Sequence, residues 1–75
     1  MNSFSIMLNS IADVKEFVNI VSNYPFDIDL TSGRYVVDAK SIMGIFSLDL
    51  SKPIKVGLGD ADAGELCGEL EKFKI

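Results

Sequence analysis

Two serines mark where this chain could do chemistry, because the side chains that more often do it are missing. The 75 residues include no histidine and a single cysteine, Cys67. A lone thiol forms neither an intrachain disulfide nor a thiolate metal cluster. Without imidazole, zinc and other transition-metal sites are excluded too. No catalytic constellation and no cofactor motif remains, so the chain reads as a non-enzyme. Ser41 follows Lys40 and opens the run Ile42-Met43-Gly44-Ile45-Phe46. A hydroxyl there caps the start of a short helix, a place whose free N–H groups and dipole favour an anion such as phosphate. Ser10 precedes Ile11-Ala12-Asp13, and a hydroxyl with a carboxylate three positions on is also a helix start. Asp is shorter than the preferred Glu, which weakens the reciprocal bond.

The apolar run after Ser41 is dense for so short a helix, and two turns cannot bury every side. Met43 and Phe46 stand at i, i+3 on one face and are candidates for an exposed partner surface. The alternatives are that both are core, or that the patch joins two copies of the chain. Gly44 weakens the helix by roughly 1 kcal/mol relative to Ala.

The elements that must position these residues follow from apolar spacing. Over 3–8, Phe4, Ile6 and Leu8 alternate as on a half-buried strand. From Ile11 the apolar residues recur at Val14, Phe17, Val18 and Val21, a helical stripe facing a core. This helix should end around Ser22-Asn23, since Pro25 disfavours helical geometry in Tyr24. Residues 26–30 alternate with Phe26, Ile28 and Leu30 inward. Thr31-Ser32-Gly33 is a turn in which Gly33 can take positive φ, and 34–38 return as the second arm of a hairpin. A short helix over 42–47, a strand over 54–58 and a last helix over about 61–73 complete the order. The loop Gly59-Asp60-Ala61-Asp62 supplies N-cap candidates for that last helix, and Leu66, Leu70 and Phe73 form its stripe. Gly64 and Gly68 within it either admit close packing or lower its stability, and the second reading is preferred. The order β-α-β-β-α-β-α, with amphipathic helices and half-polar strands, predicts an α+β fold. It is an open-faced sandwich, a four-stranded antiparallel sheet covered on one face by helices.

Composition narrows the partners. At this length the chain makes one domain, 1–75, and its 48% hydrophobic content is enough for a thin core. A net charge of −4, with seven Lys and Arg scattered among eleven Asp and Glu, argues against direct nucleic-acid binding, which needs a basic face. No apolar run approaches the roughly 20 residues that span a bilayer. With no basic n-region at the start, a soluble, cytoplasmic chain is expected.

The element order, with Asp38-Ala39-Lys40-Ser41-Ile42-Met43-Gly44-Ile45-Phe46-Ser47-Leu48 at its centre, resembles the HPr family, the small phosphocarriers of the bacterial phosphotransferase system. The Lys-Ser-Ile-Met-Gly segment is the specific part and looks like the Gram-positive form. Tyr24 and the Ser32-Gly33-Arg34 turn match more loosely, and the resemblance runs over about 5–70. In the family, a histidine in a Gly-(Leu/Ile)-His-x-Arg-Pro stretch caps the first helix and relays phosphate from enzyme I. Here the stretch reads Leu8-Asn9-Ser10-Ile11-Ala12-Asp13, with Ser10 at the histidine, Ala12 at the arginine and Asp13 at the proline. A serine phosphate is a low-energy ester, so the resemblance implies a chain that cannot relay. It further implies Ser41 as a regulatory phosphorylation site for HPr kinase/phosphorylase. Lys40, Ile42, Met43 and Phe46 would be the docking patch, a transcription regulator of carbon catabolite control the partner. The alternative is a diverged structural or self-associating module with no phosphorylation.

Overall fold

Ser10 is where strand geometry gives way to helix. Its backbone is extended (φ −150°, ψ 167°), and its Oγ accepts from the Asp13 N–H at 3.1 Å. The Asp13 carboxylate reaches back, but to the N–H of Asn9 at 3.0 Å, one residue earlier than in a Ser/Glu capping box. Two otherwise free donors are thereby satisfied. Ser10→Ala should lower the unfolding free energy by about 1 kcal/mol, while Ser10→Asn, which keeps an acceptor, should stay near the parent. The readout is the urea midpoint at unchanged slope.

The computed structural model describes residues 3–59 and 64–75. The elements are β1 (Ser3–Ile6), α1 (Ile11–Val21), β2 (Asp29–Ser32), β3 (Tyr35–Asp38), α2 (Ile42–Phe46), β4 (Ile54–Gly57) and α3 (Gly64–Glu69), followed by a 3-10 turn, Glu71–Phe73. The four strands form one sheet in the order β1-β4-β2-β3, every neighbouring pair antiparallel. Along β4, Ile54 and Val56 are buried and Lys55 is exposed, so one face of the sheet is dry. The helices lie over that face, α1 touching both α2 and α3. The expected α+β open-faced sandwich is the fold observed.

Several boundaries moved, each for a reason outside local spacing. The strand expected over 26–30 runs Asp29–Ser32 instead. Asp29 pairs with Asp38 on one side and Gly57 on the other, and both neighbours end there. Upstream of Asp29 the β2–β3 pairing is reduced to one hydrogen bond, from the Ala39 N–H to the Ile28 carbonyl at 2.9 Å. Phe26 is accordingly half-buried, leaning on the Tyr24 ring (centroids 5.6 Å apart), while Ile28 and Leu30 are buried as expected. Thr31 and Ser32 belong to the strand, and the turn is Gly33-Arg34. Gly33 has φ +60° and Arg34 is not left-handed, the pattern of a type II′ turn.

The stripe of α1 holds at Val14, Phe17 and Val21, with Val18 half-buried. It fails at Ile11, which is 63% exposed. As the first residue of α1 it lines an open groove and not the core, so the spacing continues where burial does not. Leu66, Leu70 and Phe73 are buried as expected, although the last helix divides into α3 and the 3-10 turn. The part expected over 61–63, and the cap candidates Asp60 and Asp62, lie outside the described residues. A Cβ on Gly68 would meet nothing within 4 Å, so that glycine admits no close approach and only weakens the helix.

Candidate functional site

The five-residue helix α2 is the element that presents the candidate residues, and its burial splits by side. Ile45 is fully buried, Ile42 half-buried against the core, Met43 is 77% exposed and Phe46 40% exposed. Ser41 caps it, with Oγ accepting from the Gly44 N–H at 3.2 Å. Gly44 does more than weaken the helix. A Cβ there would stand 3.3 Å from Ser41 Oγ and 3.4 Å from the Val37 Cβ. The missing side chain is what lets the first turn of α2 sit close on β3.

Lys40 takes a place its sequence neighbours do not suggest. Its ammonium donates to the Tyr24 carbonyl at 2.6 Å, just past the end of α1, and its N–H donates to Asp38 Oδ1 at 2.9 Å. A cation at a helix C-terminus meets free carbonyls and the negative end of the dipole, so Lys40 ties the start of α2 to the end of α1. Partial burial first, then the carboxylates of Glu69 and Glu65, push the Tyr24 phenol above its ordinary value.

Ser10 and Phe46 are brought together. Both line an open groove of about 580 Å³ with Met7, Leu8, Ile11 and Leu50, so the exposed Ile11 faces the same space as Phe46. The loop after α2 closes one side of it. There the Ser51 hydroxyl and N–H hold the Asp49 carboxyl below its usual value, and their stabilising effect is present at neutral pH and fades as pH falls through that lowered value. Ser41 and Lys40 do not line the groove; they stand at the opposite end of α2. Nothing in single-element spacing joins Ser10 to Phe46, because the groove exists only where the start of α1 meets the end of α2. Among the described residues no group of three His, Cys, Asp or Glu side chains is placed to hold a metal ion.

A family model described as the PTS HPr component phosphorylation site matches residues 13–74. The chain belongs to the HPr family. The match opens at Asp13, after Ser10. A crystal structure titled HPr-C-His, from Thermoanaerobacter tengcongensis, superposes with a TM-score of 0.79 at 26% identity, over 96% of this chain and 89% of that one. No curated protein sequence matches. HPr proteins are phosphocarriers of the phosphotransferase system and not enzymes, and they act by contact with other proteins of that system. The resemblance carried by the Lys40-Ser41-Ile42-Met43-Gly44 segment is thus upheld at the level of family and fold. Among the described residues no helix is long and apolar enough to cross a membrane.

Proposed function

We propose that residues 1–75 form one HPr-like domain working in the cytoplasm as a regulatory interaction module, switched by phosphorylation of Ser41. The observation that carries this reading is the placement of Ser41. Its hydroxyl is half-buried at the start of α2, two residues from Met43, which is 77% exposed. Phosphorylation there adds about two negative charges and three strong acceptor oxygens. An Arg or Lys cluster on a regulator would read them, with Met43 and Phe46 giving apolar contact beside them. Ser10 caps α1 in the same way, and because a serine phosphate is a low-energy ester it takes no part in relaying phosphate. The family's catabolite-control kinase and regulator are the partners this arrangement suits.

Incubation with HPr kinase/phosphorylase and ATP, followed by intact-mass measurement, tests it. One added phosphate, lost in Ser41→Ala, is the expected result. No gain with several Gram-positive kinases removes the switch. A second reading, a diverged structural module, draws on Lys40, whose ammonium is held by the Tyr24 carbonyl and not by an acceptor beside Ser41. If that reading holds through self-association by α2, Met43→Asp or Phe46→Asp should turn an oligomer into a monomer on size exclusion.

A further inference from the structure

The two edges of the sheet are treated differently. Alongside β1 runs the C-terminal segment: the Met7 N–H donates to the Phe73 carbonyl at 2.9 Å, the Ile75 N–H to the Ser5 carbonyl at 3.4 Å, and Ile6 bridges to Lys74. Among the described residues no segment runs along the outer side of β3, the strand at the other edge. Edge strands are usually blunted by Lys, Pro or a bulge. β3 carries no Lys, Pro or bulge; it is blunted only by its four-residue length and the terminal Asp38, and it leaves Tyr35 71% and Val36 62% exposed.

Hairpin geometry says which groups face outward. A two-residue hairpin closes on a hydrogen-bonded pair, here Ser32 and Tyr35. The main chain of Tyr35 and Val37 is therefore turned toward β2, and the Ala39 N–H donating to the Ile28 carbonyl at 2.9 Å continues that alternation. The N–H and carbonyl of Val36 face away from the sheet. Val37 packs under α2, so the side chains of Val36 and Asp38 belong to the opposite, helix-free face, and Arg34 precedes them as the second residue of the turn.

We propose that two copies of this chain pair antiparallel through β3 about a two-fold axis, with Val36 opposite Val36. In that register the two Val36 residues exchange both main-chain hydrogen bonds, and Arg34 of each copy stands opposite Asp38 of the other. Charge complementarity selects it. The Arg34 guanidinium has no hydrogen bond or ion pair among the described residues, and Asp38 spends only Oδ1, on the Lys40 N–H. A shift of one residue sets outward main-chain groups against inward ones. The next allowed pairings set Val36 against Asp38 or against Arg34, placing a charge on an apolar partner. The result is a continuous sheet across both copies. It rests on nothing at Ser41.

So short an edge buries far less than the roughly 1,200–2,000 Å² of a stable interface, so the dimer is weak and its population depends on concentration. Sedimentation equilibrium from micromolar to millimolar protein should show the mean mass rising from 8.2 kDa toward twice that value. Arg34→Asp and Asp38→Arg should each stay monomeric, because each sets like charges opposite one another, and an equimolar mixture of the two should associate again. Far-UV circular dichroism checks that each variant is folded. Val36→Pro is a second route: it removes an outward N–H, which an edge strand tolerates, and should also give a folded monomer. Met43→Asp should leave the association unchanged. A parent chain that stays monomeric at millimolar concentration overturns the proposal, as does a mixture that fails to associate or a loss of association in Met43→Asp.

Discussion

Replacing Phe17 by alanine should cost about 3–5 kcal/mol of stability, the range for deleting a buried ring from a packed core. Phe17 is fully buried and heads the largest enclosed side chains. Its ring meets Phe73 edge to face, centroids 6.1 Å apart and planes at 76°, so it joins the middle of α1 to the end of the chain. At about 0.05–0.15 kcal/mol per residue, the loss is a large part of everything the fold has. Urea unfolding by circular dichroism should place the variant's midpoint far below the parent's, with a pre-transition baseline that is short or missing. Ile11→Ala, on the same helix but at a residue 63% exposed, should change stability by no more than about 0.5 kcal/mol. Equal losses at the two positions would mean that α1 is rotated from the orientation described.

The second large effect is a complete absence of relay. With phosphoenolpyruvate and enzyme I the intact mass should not change, because the chain has no histidine and its hydroxyls make esters too low in transfer potential to pass phosphate onward. Ser10→His should recover little. Transfer also needs a cation on the phosphoryl oxygens, and removal of one such electrostatic partner costs roughly 100–1,000-fold in rate. Ala12 offers no charge, and the Asp13 carboxylate sits at the same helix start, accepting from Asn9. Ser10→His/Ala12→Arg/Asp13→Pro is therefore expected to transfer far faster than Ser10→His alone. Stable phosphorylation of the parent chain by enzyme I would refute this account.

Both caps were legible in the sequence because a cap is a contact across three residues. Ser10 to Asp13 and Ser41 to Gly44 hold in the structure at 3.1 and 3.2 Å. Element order, the buried face of β4 and, past Ile11, most of the buried face of α1 followed from period. The start of β2 did not, because a strand ends where its partners end, and Asp29 stands opposite the last residues of both β3 and β4. Gly44 was read as a weak point in a helix, whereas its cost is offset by a close approach to Val37 that no local pattern encodes.

The absence of histidine, the helix starts, the hairpin turn at Gly33 and the family's Lys-Ser-Ile-Met-Gly segment are properties of residue type and short spacing, and the sequence determined them unaided. Tertiary structure decided the rest. It exposed Ile11, set Phe46 beside the Ser10 loop in one groove, sent the Lys40 ammonium to the Tyr24 carbonyl and left the outer side of β3 unpaired. Each of these depends on where a distant element stops or docks, and such long-range placement is fixed by packing of the whole core and not by the few residues on either side.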